Sequence, residues 1–254
     1  MNLSKKLYIT FIFTFLYLPI FILIAYSFNN SKYSLNWKGF TLKWYEKLFE
    51  NESLIEAALN SITIASLSSL LATILGTIGA VALYRYRFVG KKFLNSIVFI
   101  LIISPEIVMG IALLMLFVIF NTELGFNSLL ISHISFCLPF VIVTILSRLS
   151  GFDKNIIEAA SDLGANDFEI FSKIILPNIF PAVIAGFLLS FTLSLDDVII
   201  SFFVSGVEFE ILPIKIFSMV KLGVSPEVNA LSTIMFIFTV FVVVFSQFLI
   251  RERK

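Results

Sequence analysis

Six stretches of this sequence are each apolar for about twenty residues or more, the length a helix needs to cross a lipid bilayer. They cover residues 7–28, 59–84, 93–120, 127–147, 178–203 and 229–250. Each is too long for a soluble strand, and the alternation of a membrane-barrel strand is absent. Composition agrees: 59% of the 254 residues are hydrophobic, 14% are charged and mean hydropathy is +1.01. Soluble chains run about 45–50% apolar and about 25% charged. A net charge of +1 offers no field to recruit a nucleic acid. One cysteine, Cys137, excludes a disulfide framework and a thiolate metal site, and one histidine, His133, leaves little for a metal cluster. A disordered chain, a nucleic-acid binder and an ordinary cytosolic enzyme are all excluded. The expected fold is an all-α integral membrane protein with six transmembrane helices.

The first stretch follows Lys5 and Lys6. It is too long for the apolar run of a signal peptide and has no A-x-A-like site after it, so it reads as a retained helix. Orientation follows the basic residues. With the N-terminus inside, the inner segments hold Lys5, Lys6, Arg85, Arg87, Lys91, Lys92, Arg148, Lys154, Lys173, Arg251, Arg253 and Lys254. The outer segments hold only Lys32, Lys38, Lys43, Lys47, Lys215 and Lys221, set among Glu46, Glu50, Glu52, Glu56, Glu208, Glu210 and Glu227. N-terminus and C-terminus are therefore both expected in the cytoplasm. Trp37, Trp44, Tyr45, Tyr84 and Tyr86 fall near the expected interfaces, where amphipathic rings are favoured. The second stretch carries Ala72, Gly76 and Ala80 at four-residue spacing above Ser66, Ser68 and Ser69. That stripe suits close helix contact, within one subunit or between two. No segment repeats another, and residues 1–254 read as a single membrane domain.

The longest inner connection runs from Arg148 to Pro177 and encodes two short helices. Asp153 or Asn155 can cap the first, with Ile156, Ile157, Ala160 and Leu163 as its apolar stripe and Gly164 placed to end it. Asn166 can cap the second, with Asp167 and Glu169 in its first turn, and Pro177 is expected to break the run. A polar helix–Gly–helix of this kind is either a docking element for a partner's groove or a solvated connection.

Within it, Glu158-Ala159-Ala160 is followed after three residues by Gly164 and after nine more by Ile174-x-Leu176-Pro177. This spacing resembles the EAA motif of ABC importer permeases at every defined position. The resemblance implies the type I importer permease fold, with its core over 59–250 and a coupling loop over 153–177. It also implies that Glu158 through Gly164 form the coupling helix inserted into a separate ATP-binding subunit. Ala159 and Ala160 would allow close approach, Gly164 the bend, and Leu176 and Pro177 complete the motif. The sole Gly-Lys pair, Gly90-Lys91, lacks the rest of a phosphate-binding loop. No cofactor is expected in this chain, and ATP and Mg would belong to the partner ATPase. Residues 27–45, 82–88, 104–114, 190–206 and 210–234 resemble the spermidine/putrescine importer permeases of that family. The resemblance implies a non-catalytic, multi-pass subunit of the bacterial cytoplasmic (inner) membrane. Its implied partners are an ATP-binding subunit dimer, a second homologous permease in a heterodimer, and an extracytoplasmic polyamine-binding protein.

Three acids fall within apolar stretches: Glu106 in the third, Asp196 and Asp197 in the fifth. A carboxylate at mid-membrane costs about 2.5–3.5 kcal/mol, so such groups face a cavity or a partner. No Lys or Arg lies inside any stretch to pair with them. Acids without bases along a wet path suit a cation such as a linear polyamine, and Phe191, Phe202 and Phe203 are near enough to offer ring faces. Asp196 and Asp197 point about 100° apart on a helix, so one can line the path while the other caps a break or pairs across an interface. Glu106 follows Pro105 and can instead stabilise a helix discontinuity. His133 and Cys137, one turn apart, read as packing residues rather than metal ligands. The competing readings are a permease for another cationic solute, a secondary transporter or channel, and an intramembrane aspartyl protease. The last needs two acids from separate helices, and here the pair are neighbours.

Overall fold

The computed structural model describes residues 3–31, 36–207, 209–222 and 226–251; Lys32, Glu208, Arg253 and Lys254 lie outside them. Among the described residues the chain is almost wholly helical, with a lone antiparallel bridge between Asn29 and Phe40. It divides into two units, residues 1–56 with 215–254, and residues 57–214.

The first unit holds α1 (Leu3–Ser27), α2 (Lys43–Glu50), the start of α3 (Glu52–Arg85) and α12 (Pro226–Arg251). α12 packs on α1 and α2. α1 turns large apolar side chains outward, among them Phe11, Phe15 and Phe21, as lipid in place of water permits. The turn after it is built on Asn29. The Lys38 amide donates to Asn29 Oδ1 at 2.8 Å, and Trp44 Nε1 donates to the Asn29 carbonyl at 2.7 Å. Trp44, in the first turn of α2, is thus buried against this turn.

The second unit holds the rest of α3, then α4 (Lys91–Ile103), α5 (Glu106–Ile119), α6 (Phe126–Leu149), α7 (Lys154–Asp162), α8 (Asp167–Glu169), α9 (Leu176–Asp196), α10 (Ile199–Val204) and the start of α11 (Leu212–Leu222). Helix association in lipid relies on close packing, since the tails are as apolar as the side chains. The small-residue stripe of α3 serves that purpose inside the unit: Ser68, Ser69, Ala72, Gly76 and Ala80 are all buried. Val141 of α6 is wedged between two glycines. A Cβ at Gly76 would lie 2.6 Å from Val141 Cγ1, and one at Gly186 of α9 would lie 3.3 Å from the same atom. Gly76→Ala should therefore lower stability by about 1–3 kcal/mol, the usual cost of overpacking. Thermal unfolding of the purified protein measures this, and adding Val141→Ala should relieve it only in part, because the Val141 Cβ would itself stand 2.9 Å from the new methyl.

Three expectations change. The third stretch is not one straight helix: α4 and α5 meet at Ser104–Pro105 with a bend of 114°. Proline has no N–H, and its ring pushes the preceding residue out of the helical region; Ser104 is accordingly extended at ψ 135°. The described helices thus supply five single spans, or six if the bent pair counts as one. The fifth stretch stops at Asp196, where Asp197 is extended at ψ 121°, and resumes as α10. Pro177, conversely, breaks nothing. Residues 167–196 form one helical run, because a π turn at Ile170–Ile175 precedes the proline and absorbs the lost i→i−4 bond. Asn178 Nδ2 donates to the Ile174 carbonyl at 2.7 Å and helps satisfy the loosened turn.

Candidate functional site

The two helix breaks come together. Between them lies an open recess of about 290 Å³, lined by Glu106, Phe136, Leu193, Asp196, Asp197, Val198 and Ile199. Glu106 opens α5 directly after Pro105, and Asp196 is the last residue of α9; both side chains are exposed. α5 and α10 can approach closely because Gly110 has no side chain: a Cβ there would stand 2.7 Å from Phe203 Cδ2 and 3.3 Å from Ile200 Cα. All three intramembrane acids singled out in the sequence therefore belong to one recess. Among the residues that line it there is no Lys or Arg.

The two aspartates differ in what they do. Asp197 is only 6% exposed. Its carboxylate accepts from the Ile200 amide (3.2 Å), the Ser201 amide (2.8 Å) and the Ser201 hydroxyl (2.7 Å). This satisfies the free N–H groups that open α10, as an N-cap does. Asp196 is exposed and lines the recess.

The aromatic expectations need correction. Phe191 is buried and stacks near Phe187 at 6.3 Å, while Phe202 is 61% exposed and meets Phe203 edge-on at 5.7 Å. Neither lines the recess; Phe136 of α6 does, braced edge-on by Phe140 at 5.6 Å. Sequence reasoning missed Phe136 because it weighed only neighbours of the aspartates in sequence. Its signal was position: it lies three residues after His133, on the polar side of α6. His133 itself is buried between Ser194 and Ser201, its ring nitrogens 2.6 and 2.9 Å from their hydroxyls. Its role is polar rather than simple packing.

The loop over 153–177 keeps its expected helices. Asp153 caps α7, accepting from the Asn155 amide at 3.0 Å. Gly164, at φ +85°, ends it: its amide donates to the Ser161 carbonyl and that of Ala165 to the Ala160 carbonyl, both at 3.0 Å. This is a Schellman closure, which needs the left-handed conformation glycine adopts freely. Asn166 and Glu169 cap α8 reciprocally at 2.9 and 3.2 Å. Asp167 is gripped by Arg85 Nη2 at 2.6 Å and the Tyr86 hydroxyl at 3.1 Å, tying the loop to the end of α3. The apolar stripe divides. Ile157 and Ala160 pack on the unit's core, whereas Leu163 is 89% and Phe168 75% exposed, on either side of the Gly164 bend. Glu158, Ala159 and Pro177 are exposed, and Leu176 is half-buried. Of the two motif alanines, Ala159 faces out and Ala160 in.

The family described as binding-protein-dependent transport system inner membrane component matches residues 72–253. The chain belongs to that family. It is an integral, multi-pass component of an ABC importer. Over 246 residues it is 56% identical to the spermidine/putrescine transport system permease protein PotC of Escherichia coli, covering 97% of this chain and 93% of that one. The Haemophilus influenzae protein of the same description is 55% identical over 243 residues, covering 96% and 95%. The E. coli putrescine transport system permease protein PotI is 43% identical over 229 residues, covering 87% and 82%. The fold matches a chain in the crystal structure of a bacterial ABC transporter involved in the import of the acidic polysaccharide alginate. That match has TM-score 0.75 and 17% identity, and covers 95% of this chain and 94% of that one. A chain of the MetNI methionine transporter gives TM-score 0.67 at 17% identity, covering 79% and 96%.

Proposed function

We propose that this chain is a permease subunit of an importer for spermidine and putrescine, and that the recess is a station on their path. The observation that carries the reading is the joining of Glu106 and Asp196 in one recess whose lining has no basic residue. Relatives more than half identical carry the names of spermidine/putrescine permeases, which supports the same solute. A polyamine presents ammonium groups separated by methylenes. Two carboxylates from different helices, with Phe136, Leu193 and Ile199 in the same lining, offer both charge and apolar surface. A channel or secondary transporter would use such acids too, but would leave the exposed surface of α7 and the Gly164 bend without a purpose.

In this reading both termini and the loop over 153–177 face the cytoplasm. Glu158, Ala159 and Gly164, with Leu163 and Phe168 beside them, meet an ATP-binding subunit that carries ATP and Mg. Ala160, Leu176 and Pro177 hold that surface on the helix behind it. A second, homologous permease completes the path, and an extracytoplasmic polyamine-binding protein delivers solute. The test is uptake by proteoliposomes holding the complete transporter and its binding protein. Saturable, ATP-dependent uptake of labelled spermidine that putrescine competes for is expected; uptake without ATP, or of other cations only, overturns the reading.

A further inference from the structure

The Asp197 carboxylate is the end of a buried chain of hydrogen bonds that crosses the second unit. The Ser201 hydroxyl spends its one proton on Asp197 Oδ2 at 2.7 Å, so its oxygen must accept from His133 Nε2 at 2.9 Å. With Nε2 carrying the proton, Nδ1 of the neutral ring accepts from the Ser194 hydroxyl at 2.6 Å. The Ser194 oxygen then accepts from Ser68 of α3 at 3.0 Å. Every donor points towards Asp197, and the direct His133 Nε2 to Asp197 Oδ2 separation is 3.6 Å, too long for a bond of its own. Ser68, Ser194, His133 and Ser201 are all 3% exposed or less. His133 thus hydrogen-bonds both sides of the α9–α10 break: Ser194 lies before it and Ser201 after.

We propose that His133 is a positioning residue for the recess. It clamps the α9–α10 break so that Asp197 stays turned onto the amides of α10 and Asp196 alone of the pair meets solute. The break lacks a continuous backbone ladder, because Asp197 is extended, and the side-chain chain stands in for it. Without the ring, Ser201 loses its donor and the two helix ends lose their common strut. Asp197 is then no longer held to a single orientation, and two adjacent carboxylates compete for the recess. The proposal rests on the polyamine reading for its effect on uptake, but the clamp itself is measurable without transport.

Two measurements test it on the complete transporter, at matched amounts of assembled complex. In uptake, His133→Leu should raise the KM for spermidine about ten-fold with Vmax changed by less than about two-fold. His133→Gln, which keeps a donor where Nε2 stands, should recover most of that. Combining His133→Leu with Asp196→Asn should add less than about two-fold to the KM of Asp196→Asn alone, since coupled sites are not additive. An unchanged KM in His133→Leu, a loss confined to Vmax, or fully multiplicative effects would overturn the proposal. The second measurement uses the fact that Cys137 is buried and replaces it with Ala, leaving Val198→Cys at the break as the thiol to be labelled. Its reaction rate with an aqueous methanethiosulfonate should rise about five-fold or more when His133→Leu is added. An unchanged rate removes the clamp whatever uptake does. A raised rate together with a wild-type KM in Asp196→Asn keeps the clamp and removes the polyamine reading.

Discussion

Replacing Asp196 by Asn is expected to raise the KM for spermidine uptake ten-fold or more, while Asp197→Ala should lose assembled protein instead. The two residues are neighbours, yet the structure gives them opposite surroundings. Asp196 ends α9 with its side chain exposed in the recess. Removing its charge deletes a charge-assisted contact worth about 1.5–3 kcal/mol, and about ten- to hundred-fold in KM follows. Nothing in the fold depends on it, so thermal stability should hold. Asp197 accepts three hydrogen bonds while buried. Alanine leaves two amides and a hydroxyl without their acceptor, and each buried group so orphaned costs about 1–3 kcal/mol. Uptake kinetics and thermal unfolding of both variants decide the matter. Equal phenotypes would show that the aspartates share one role.

The second large effect concerns the loop. Leu163→Ser with Phe168→Ser should reduce recovery of the ATP-binding subunit with the purified permease about thirty-fold or more, with membrane insertion unchanged. Side chains of that size, exposed at 89% and 75% on a loop that also exposes Ile156, are unusual unless a partner covers them. Buried anchors in a partner's pocket typically contribute about 2 kcal/mol or more each, and 1.4 kcal/mol is already ten-fold in affinity. Their own chain gains little from them, so the permease should survive the change. Full recovery of the ATPase with the double variant would place the docking surface elsewhere.

Much of this was legible in the sequence, for physical reasons that can be named. The long apolar stretches fix helices because lipid allows no unsatisfied backbone. The caps of α7 and α8 were readable because Asp153, Gly164 and Asn166 act through bonds within two to five residues. The gathering of Glu106 and Asp196 was not readable, because it depends on how two breaks 92 residues apart in the chain (Pro105 to Asp197) meet in space. Phe136 was overlooked for the same reason. Pro177 misled because it follows the looser π turn at Ile170–Ile175 and opens the first turn of α9, where its missing N–H matters least. The stripe on α3 left two readings open, and Val141 between Gly76 and Gly186 decides for the interior of the subunit.

The breaks at Ser104–Pro105 and Asp197–Val198 have a mechanical consequence. Straight helices can alter the width of a passage only by sliding or tilting as whole rods against every neighbour they touch. Here one wall of the recess begins at the first break and the other ends at the second. In the proposed path, the backbone at Ser104–Pro105 can turn Glu106 towards or away from Asp196, while α9 and the braced α9–α10 break stay packed on α6. The recess has one knuckle and one brace, with an acid at each.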